Sequence, residues 1–248
     1  AVNYAYTNGY PLIIYGQGQA VICTITNNTI SVPAKYYQSV RCYDTFIFFN
    51  NAAQNGIIFD TQRYGAWDCS DGKLLYSGTG QAVQIRPATN PAGGACTVSE
   101  CWALDHKYNF GTIFMQGGPS NAAVQIDVGA VNGIDQLHSS TWTNNSLTFT
   151  CEGQQLTTYC LQLVTPTNAF QTGAENQFFF NNLEGATGSQ IIIGTNSVND
   201  AALGTNHYIG NIAITGNDVN ASGIISNSSA DVFELTSINC YQAIGSQI

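Results

Sequence analysis

Charged residues are scarce in this chain, and cations are the scarcest of them. Asp, Glu, Lys and Arg make up 8% of the 248 residues, and 6 Lys+Arg against 15 Asp+Glu give a formal net charge of -9. A soluble globular domain usually carries about 25% charged residues. The shortage of cations excludes the basic surface that nucleic acid requires and the basic helix face that lies on lipid. We therefore expect no nucleic-acid partner and no insertion into a membrane.

Long apolar runs and common catalytic motifs are also lacking. No stretch of about 18 apolar residues is present, so the sequence predicts no membrane-spanning helix. The patterns G-x-S-x-G, H-E-x-x-H, G-x-G-x-x-G and the P-loop are absent, which removes the usual signatures of several enzyme classes. The sequence predicts no metal and no cofactor. Ca²⁺ is the ion that loop Asp and Asn oxygens would suit, but no EF-hand loop supports it.

The few cations are unevenly distributed along the chain. All six lie in the first 107 residues, namely Lys35, Arg41, Arg63, Lys73, Arg86 and Lys107. Residues 108–248 hold nine acids and no Lys or Arg, so the whole net charge belongs to that part. Such a surface relies on hydrogen bonds rather than on salt bridges, and we expect its stability to change little in acid.

Cysteine, in contrast, is plentiful, and its even number predicts four disulfides in an oxidising compartment. The eight residues are Cys23, Cys42, Cys69, Cys96, Cys101, Cys151, Cys160 and Cys240. No C-x-x-C pair indicates a zinc or redox site. The spacing suggests that Cys96 pairs with Cys101, that Cys151 and Cys160 staple a hairpin, and that Cys240 ties the last strand to an earlier one.

Four N-x-[ST] sequons add to the expectation of a secreted glycoprotein. They are at Asn27, Asn144, Asn220 and Asn227. A chain with 25 Asn, many of them near Ser and Thr, also produces sequons by chance. We expect the protein to be extracellular or associated with a cell wall.

Short apolar runs separated by Gly, Asn, Ser and Thr clusters indicate an all-β fold of about fourteen strands. Strict alternation over Val21–Thr26 and Val124–Val128 predicts sheets with one buried and one wet face. The first choice is a disulfide-braced antiparallel β-sandwich, similar to a jelly roll. A parallel β-helix is the alternative, ranked second because no regular period of about 20–25 residues is found.

A weak repeat bears on domain organisation. Phe46–Asn51 and Gln177–Asn182 share the pattern FF-N-N, and each is followed by a second apolar run; Thr112–Gly117 is a looser copy. Every hairpin has this general form. We expect one β-rich domain over residues 1–248, with two similar halves, of about 1–107 and 108–248, as a further option.

Aromatic rings next to Asn, Asp and Gln are typical of sugar-binding surfaces, and this chain has three such places. Two are the loops around Tyr64–Asp68 and His138–Trp142, and the third is the segment Trp102–Tyr108. The predicted ligand-binding residues are Tyr64, Trp67, Asp68, Trp102, Asp105, His106, Tyr108 and Trp142. The plainer interpretation is that these Trp and Tyr rings pack in the core and that His106 is an ordinary hydrogen-bonded residue.

A glycosidase would need two carboxylates at a defined separation, one of them with a raised pKa. Glu175 and Glu184 bracket the second FF-N-N run, and Asp127 and Glu234 stand in or beside apolar strands. These four are the candidate catalytic residues. An equally simple interpretation places each of them on the wet face of its strand.

Three functions fit these patterns. The first is a secreted carbohydrate-binding or cell-surface glycoprotein, whose partner is a polysaccharide or glycan. The second is an acidic secreted enzyme, either a glycoside hydrolase or a polysaccharide lyase. The third is a self-assembling coat protein in which apolar strands such as Phe46–Phe49 and Gln190–Ile193 add to the sheet edge of a neighbour.

Overall fold

Strands account for all of the regular secondary structure that the computed structural model describes. Three sheets contain them, and we call these sheets A, B and C. The described residues are 12–15, 21–32, 35–36, 39–50, 53–60, 62–85, 103–104, 106–116, 120–127, 142–143, 145–153, 157–164, 173–174, 176–183, 186–193, 207–214, 222–226 and 232–240. In this part of the chain no helix is long and apolar enough to cross a membrane.

Sheet A has eleven strands, and sheets B and C have seven and five. Sheet A contains β1 (Leu12–Tyr15), β2 (Val21–Thr26), β5 (Ser39–Tyr43), β6 (Thr45–Asn50), β9 (Ala66–Asp68), β10 (Lys73–Ser77), β13 (Lys107–Met115), β16 (Ser146–Gly153), β19 (Gln177–Leu183), β21 (His207–Ile214) and β23 (Val232–Cys240). Sheet B contains β3 (Ile30–Val32), β7 (Ile57–Phe59), β11 (Val83–Ile85), β14 (Ser120–Asp127), β17 (Thr157–Val164), β20 (Ala186–Ile193) and β22 (Ser222–Ser226). Sheet C contains β4 (Lys35–Tyr36), β8 (Gln62–Arg63), β12 (Ala103–Leu104), β15 (Trp142–Thr143) and β18 (Gly173–Ala174).

All of the described strand pairs are parallel, so the predicted antiparallel sandwich is wrong. In sheet A, for example, β13 lies parallel to both β10 and β16, and in sheet B β14 lies parallel to β11 and β17. The prediction failed because alternation shows only that one face of a strand is buried, and it does not reveal the direction of the neighbouring strand. The parallel β-helix given as the alternative is not confirmed by these pairings.

The chain visits the three sheets in a fixed order. From β12 onwards, for example, it passes through sheet C, then sheet A as β13, then sheet B as β14, and it repeats this order with β15, β16 and β17. Consecutive visits to one sheet are therefore neighbours in that sheet. The apolar runs that resemble hairpins in the sequence are strands of two different sheets. Phe46–Phe49 and Thr112–Met115 of the weak repeat are both in sheet A and both align with Lys73–Tyr76 of β10.

The core lies between the sheets and is filled by the inward side chains of each alternating strand. The burial pattern of β6 and of β7 alternates residue by residue, with Phe49 and Phe59 fully buried. Phe59 of sheet B meets two rings of sheet A edge to face, with centroid distances of 5.0 Å to Trp67 and 5.4 Å to Tyr108. Such pairs add roughly 0.5–1.5 kcal/mol each beyond area burial. The core cluster continues from Val32 to Ile191, and β13 crosses the boundary between the two suggested halves.

Sheet A is interrupted at one place in successive strands, which we call the sheet A bulge. It comprises Asp44, Cys69–Gly72 and Gly111. Asp44 separates β5 from β6, and Cys69–Gly72 separates β9 from β10. The next strand, β13, is continuous and pairs with both β9 and β10. Gly111 has a φ of 61°, and the register of β13 against β16 shifts here. The Thr112 N–H donates to the Gly72 carbonyl at 3.2 Å, which ties the two strands together.

Side-chain hydrogen bonds hold the turns that lead from sheet A to sheet B. The Asn55 carbonyl accepts from the Thr29 hydroxyl at 2.7 Å, and Asn55 Oδ1 accepts from the Gln81 N–H at 3.0 Å. The Tyr76 hydroxyl donates to the Gln54 carbonyl and accepts from the Gly80 N–H. Burial raises the pKa of Tyr76, and the hydrogen bond from Gly80 opposes this in part. These hydrogen bonds provide partners for backbone N–H and C=O groups of the turns, as polar backbone groups near a core require.

The described residues contain one disulfide, the type of cross-link that the cysteine content predicts. Cys42 and Cys69 form a disulfide with a Cα–Cα distance of 4.4 Å, and it joins the end of β5 to the residue that follows β9. Cys151 and Cys160 are not disulfide-bonded, so the predicted staple is wrong. The reason is that β16 and β17 lie in different sheets and form no hairpin. Cys96 and Cys101 lie outside the described residues, as does the side chain of Cys240, and Cys23 is an exposed free cysteine.

Candidate functional site

Three of the predicted ligand-binding residues belong to the core or its margin. Trp67 is 1% exposed, Tyr108 is 0% exposed and His106 is 2% exposed. Trp67 was expected in a polar loop, but Ala66–Asp68 is a strand, and its burial pattern turns the middle residue inward. The polar neighbours of Trp67 in the sequence are simply the outward members of an alternating strand. These rings stabilise the fold and are not available to stack on a sugar.

His106 belongs to a column of residues that come immediately before strands of sheet A. Its carbonyl accepts from the Ser146 N–H at 3.0 Å, and its N–H donates to Asn145 Oδ1 at 2.9 Å. One strand further, the Asn145 N–H donates to Asn176 Oδ1 at 2.9 Å, so the two asparagines form a short ladder. We call His106, Asn145 and Asn176 the amide column. Neither asparagine was predicted from the sequence, although each stands directly before a β-rich run.

The imidazole of His106 is an exception within the amide column. Neither of its nitrogens has a hydrogen-bond partner among the described residues, and its ring packs against Tyr108 at a centroid distance of 4.4 Å. Burial lowers the pKa of His106 to about 3, so the ring is neutral at ordinary pH. Because it is enclosed, it does not offer a proton to a ligand at the surface. Its neighbour Asp105 lies outside the described residues.

The outer face of sheet A carries a group of polar side chains on adjacent strands. Arg41 of β5, Asp68 of β9 and Asn109 of β13 stand next to one another in register. Lys107 lies two residues before Asn109, and its Nζ is 3.6 Å from Asp68 Oδ2. Arg41 is exposed, whereas Asp68 and Asn109 are partly buried. Charged and amide groups of both polarities therefore lie within a few ångströms of one another on an open surface.

Tyr64 lies at the edge of this group. Its side chain is 42% exposed, and the next residue, Gly65, accepts a hydrogen bond from the Lys107 N–H at 3.0 Å. Tyr64 has a φ of 51°, a left-handed conformation that is uncommon for a bulky residue and often marks a functional position. We call Tyr64, Arg41, Asp68, Lys107 and Asn109 the outer patch. Tyr64 and Asp68 were predicted from the sequence.

The other three members of the outer patch were missed because their neighbours in space are distant in the chain. Arg41, Asp68 and Lys107 come together only through parallel pairing of β5, β9 and β13. The signal available in the sequence was a polar residue one or two positions from a buried ring, as in Lys107-Tyr108-Asn109. Because successive side chains of a strand point to opposite faces, a buried Tyr108 places Lys107 and Asn109 on the outer face.

Of the four candidate catalytic carboxylates, Glu234 is the one whose side chain the structure describes. Glu234 is exposed on β23. Asp127 is the last residue of β14, and its side chain is outside the described part, as are Glu175 and Glu184 as a whole. Asp68 is the acid that the described residues bring to the candidate site, and it is paired with Lys107.

The remaining predicted positions are located as follows. Trp142 is in β15 of sheet C, where it pairs with Ala103, and its side chain is not described. Trp102 lies outside the described residues, as do the sequons at Asn144, Asn220 and Asn227. Asn27 is exposed in the turn between β2 and β3, with a φ of 48°. It stays a predicted glycosylation site.

No metal-binding cluster of three or more His, Cys, Asp or Glu residues occurs in the described ranges. A cavity of about 20 Å³ lies beside the disulfide, lined by residues that include Thr45, Ile47 and Trp67. It has room for about one water molecule and none for a sugar. The outer patch is consequently the candidate site that the described surface offers.

Comparisons with protein-family models, with curated proteins and with solved structures found no match for this chain. The geometry of the outer patch and the chemistry of its residues are therefore the grounds for assigning a function.

Proposed function

We propose that the protein binds a glycan at the outer patch. The observation that carries this proposal is the row of Arg41, Asp68 and Asn109 on adjacent strands, with the 42% exposed Tyr64 just before the strand that carries Asp68. An aromatic ring covers the apolar face of a pyranose, while Arg41, Asp68 and Asn109 supply donors and acceptors for its hydroxyls. Parallel strands place such groups about 4.8 Å apart, which is close to the size of one sugar ring.

The orphan oxygen of Asp68 supports the proposal. Asp68 Oδ2 faces Lys107 Nζ, whereas Oδ1 is buried and has no hydrogen-bond partner among the described residues. A buried acceptor without a donor costs roughly 1–3 kcal/mol. A small rotation of the carboxylate would let a ligand hydroxyl donate to it, so part of the binding energy would come from relieving this cost.

We propose further that the protein acts outside the cell. The disulfide between Cys42 and Cys69 supports this, because such bonds persist in oxidising compartments. Secretion, glycosylation and attachment to a cell wall are parts of the proposal that separate experiments must test.

The test is binding to a panel of soluble and insoluble polysaccharides, with depletion of protein and release of new chain ends measured together. Tyr64→Asn removes the ring yet suits a left-handed backbone, and Tyr64→Phe keeps the ring. We expect Tyr64→Asn and Asp68→Asn to weaken binding at least about tenfold, which corresponds to about 1.4 kcal/mol. Tyr64→Phe should bind nearly as well as the unchanged protein.

Gln162→Ala serves as the matched control, because Gln162 is a partly exposed polar residue of sheet B, away from the outer patch. Equal losses in Gln162→Ala and Tyr64→Asn would contradict the assignment of the site. Depletion by no polysaccharide would contradict glycan binding altogether. New chain ends would instead indicate an enzyme, and Asp127, Glu175, Glu184 and Glu234 would be the acids to neutralise next.

A further inference from the structure

The two ends of the stacked sheets differ from each other. Because successive strands of sheets A and B are neighbours, each of these sheets has one edge formed early in the chain and one formed late. Sheet A begins with β1 and β2 and ends with β23, while sheet B begins with β3 and ends with β22. Within the described residues, each of these five strands has a strand partner on one side. We call the β1–β3 side the early edge and the β22–β23 side the late edge.

The described strands of the early edge carry none of the residues that normally protect an edge strand. β1, β2 and β3 contain no charged residue, no proline and no glycine. Natural proteins usually place Lys, Pro or a bulge at such edges, because unpaired N–H and C=O groups recruit other strands. The sequence Val21–Thr26 combines high β-propensity with zero charge, which favours addition of a strand.

Apolar side chains at the early edge are incompletely covered. Ile13 of β1 is 63% exposed. Ile25 and Ile30 pack against the core but are partly buried, unlike Ile57, which is aligned with Ile30 in the next strand and is 1% exposed. A further strand at this edge would cover Ile25 and Ile30 as Ile57 is covered, and it would lie directly beside Ile13, which shares the outer-face row of Arg41.

The late edge has the length and register to supply that strand. β23 spans nine residues, whereas β1 and β2 are two short strands of four and six residues. The same combination already occurs inside the molecule, because the nine-residue β13 pairs with both β9 and β10. In sheet B, Ile224 of β22 and Ile30 of β3 belong to one register row, so β22 would meet β3 in the register of the intact sheet.

The charge distribution matches this arrangement. The late part of the chain holds nine acids and no Lys or Arg, and every cation is in the first 107 residues. Glu234 is exposed on β23, and Arg41 lies in β5 directly beside Ile13 of β1. If β23 adds to β1 in the register of the intact sheet, Glu234 of one copy lies against Ile13 of the next. Arg41 is then two strand spacings away, about 10 Å, which is within the Debye length at moderate salt.

We propose that a second copy of this chain docks its late edge onto the early edge, so that sheets A and B continue from one molecule into the next. The contact joins unlike surfaces, so it leaves one free edge of each kind and leads to an open series rather than to a closed dimer. The strands Phe46–Phe49 and Gln190–Ile193, predicted to add to a neighbour, have partners on both sides within their own sheets and are not the contact. This inference is independent of glycan binding.

The test is the size of the protein as a function of concentration, measured by sedimentation and light scattering. We expect a series of dimers, trimers and longer species as concentration rises. Ile13→Glu places a carboxylate against Glu234 of the neighbour, and we expect it to lower the association constant at least tenfold. Adding Glu234→Lys to Ile13→Glu should restore association, because the two new charges then attract each other.

Matched controls keep the test decisive. Gln177→Glu adds the same charge at an exposed position of β19, in the interior of sheet A, and should leave association unchanged. Ile13 is largely exposed, so its variants should unfold at the same temperature as the unchanged protein. A monomer at every concentration, an assembly that ends at the dimer, or a failure of Glu234→Lys to rescue Ile13→Glu would each overturn the proposal.

Discussion

Burial of a single imidazole makes the stability of the protein depend on pH. The pKa of His106 is lowered from 6.5 to about 3 in the folded protein, so the unfolded chain takes up a proton that the folded chain does not. The contribution is fully present above pH 6.5 and is lost as the pH falls towards 3. We expect the free energy of unfolding to fall by about 2 kcal/mol between pH 7 and pH 5. This differs from the acid tolerance that the scarcity of salt bridges suggested.

His106→Asn provides the comparison. An asparagine would extend the amide column and remove the buried imidazole, so the decrease between pH 7 and pH 5 should largely disappear. Urea unfolding of both proteins at the two pH values measures it. An equal decrease in His106→Asn would mean that other groups cause the acid sensitivity.

Loss of one amide from the column should be costly. Asn145→Ala removes the acceptor of the His106 N–H and the 3.3 Å contact between Asn145 Nδ2 and Asn176 Oδ1. A buried donor left without a partner costs about 1–3 kcal/mol, and we expect a decrease of that size in the free energy of unfolding. Chemical denaturation checks it.

Gln177→Ala is the control for this change, because Gln177 is exposed next to the column. Its effect should stay within about 0.5 kcal/mol. A decrease in Gln177→Ala as large as that in Asn145→Ala would show that the column contributes no more than the surface does.

At the scale of strands, the sheet A bulge should tolerate little change. A Cβ at Gly111 would contact the Gly72 carbonyl oxygen and would lie 2.7 Å from that of Cys69, and the φ of 61° is itself unfavourable for alanine. We expect Gly111→Ala to lower the free energy of unfolding by at least about 2 kcal/mol. Thermal unfolding measures this. Thr112→Ala, on the next residue, should change it by less than about 0.5 kcal/mol.

The strands themselves could be found from the sequence, but their partners could not. The alternating run Val21–Thr26 coincides with β2, although the strand was predicted one residue longer, over Ala20–Thr26, and the apolar run Phe46–Phe49 lies within β6. Trp67 was misplaced because a three-residue strand is too short to show a period. The direction of pairing depends on where the chain goes after each turn, and Asn and Gly clusters mark a turn without stating its destination.

At the scale of the molecule, unequal connecting segments hid the recurrence of the three sheets. His106, Asn145 and Asn176 occupy equivalent places, yet the segments between them differ in length, so no fixed period appears. The outer patch was recoverable only in part for the same reason. Tyr64 and Asp68 are close in the sequence, whereas Arg41 and Lys107 reach them through pairing across sheet A.

The disulfide links β5 to the end of β9, its neighbour in sheet A, and should stabilise the whole fold. Cys42 and Cys69 are separated by 27 residues, and a closed loop of this size contributes about 3.5 kcal/mol in the chain-entropy account. We expect the double change Cys42→Ala and Cys69→Ala to lower the free energy of unfolding by about that amount. Reduction of the unchanged protein should produce a similar decrease, and a fully reduced protein of unaltered stability would contradict the expectation.

The parallel stacking also has a mechanical consequence. Each strand of sheet A forms its hydrogen bonds with the strands on either side of it. A force that pulls β1 away from β23 therefore acts on one boundary between neighbouring strands at a time. The hydrogen bonds of that boundary lie along the pull and open in succession, as in a zipper. Stretching a single molecule should therefore give a series of small rupture events, and the β5–β9 boundary, which the Cys42–Cys69 bond spans, should open fully only after reduction.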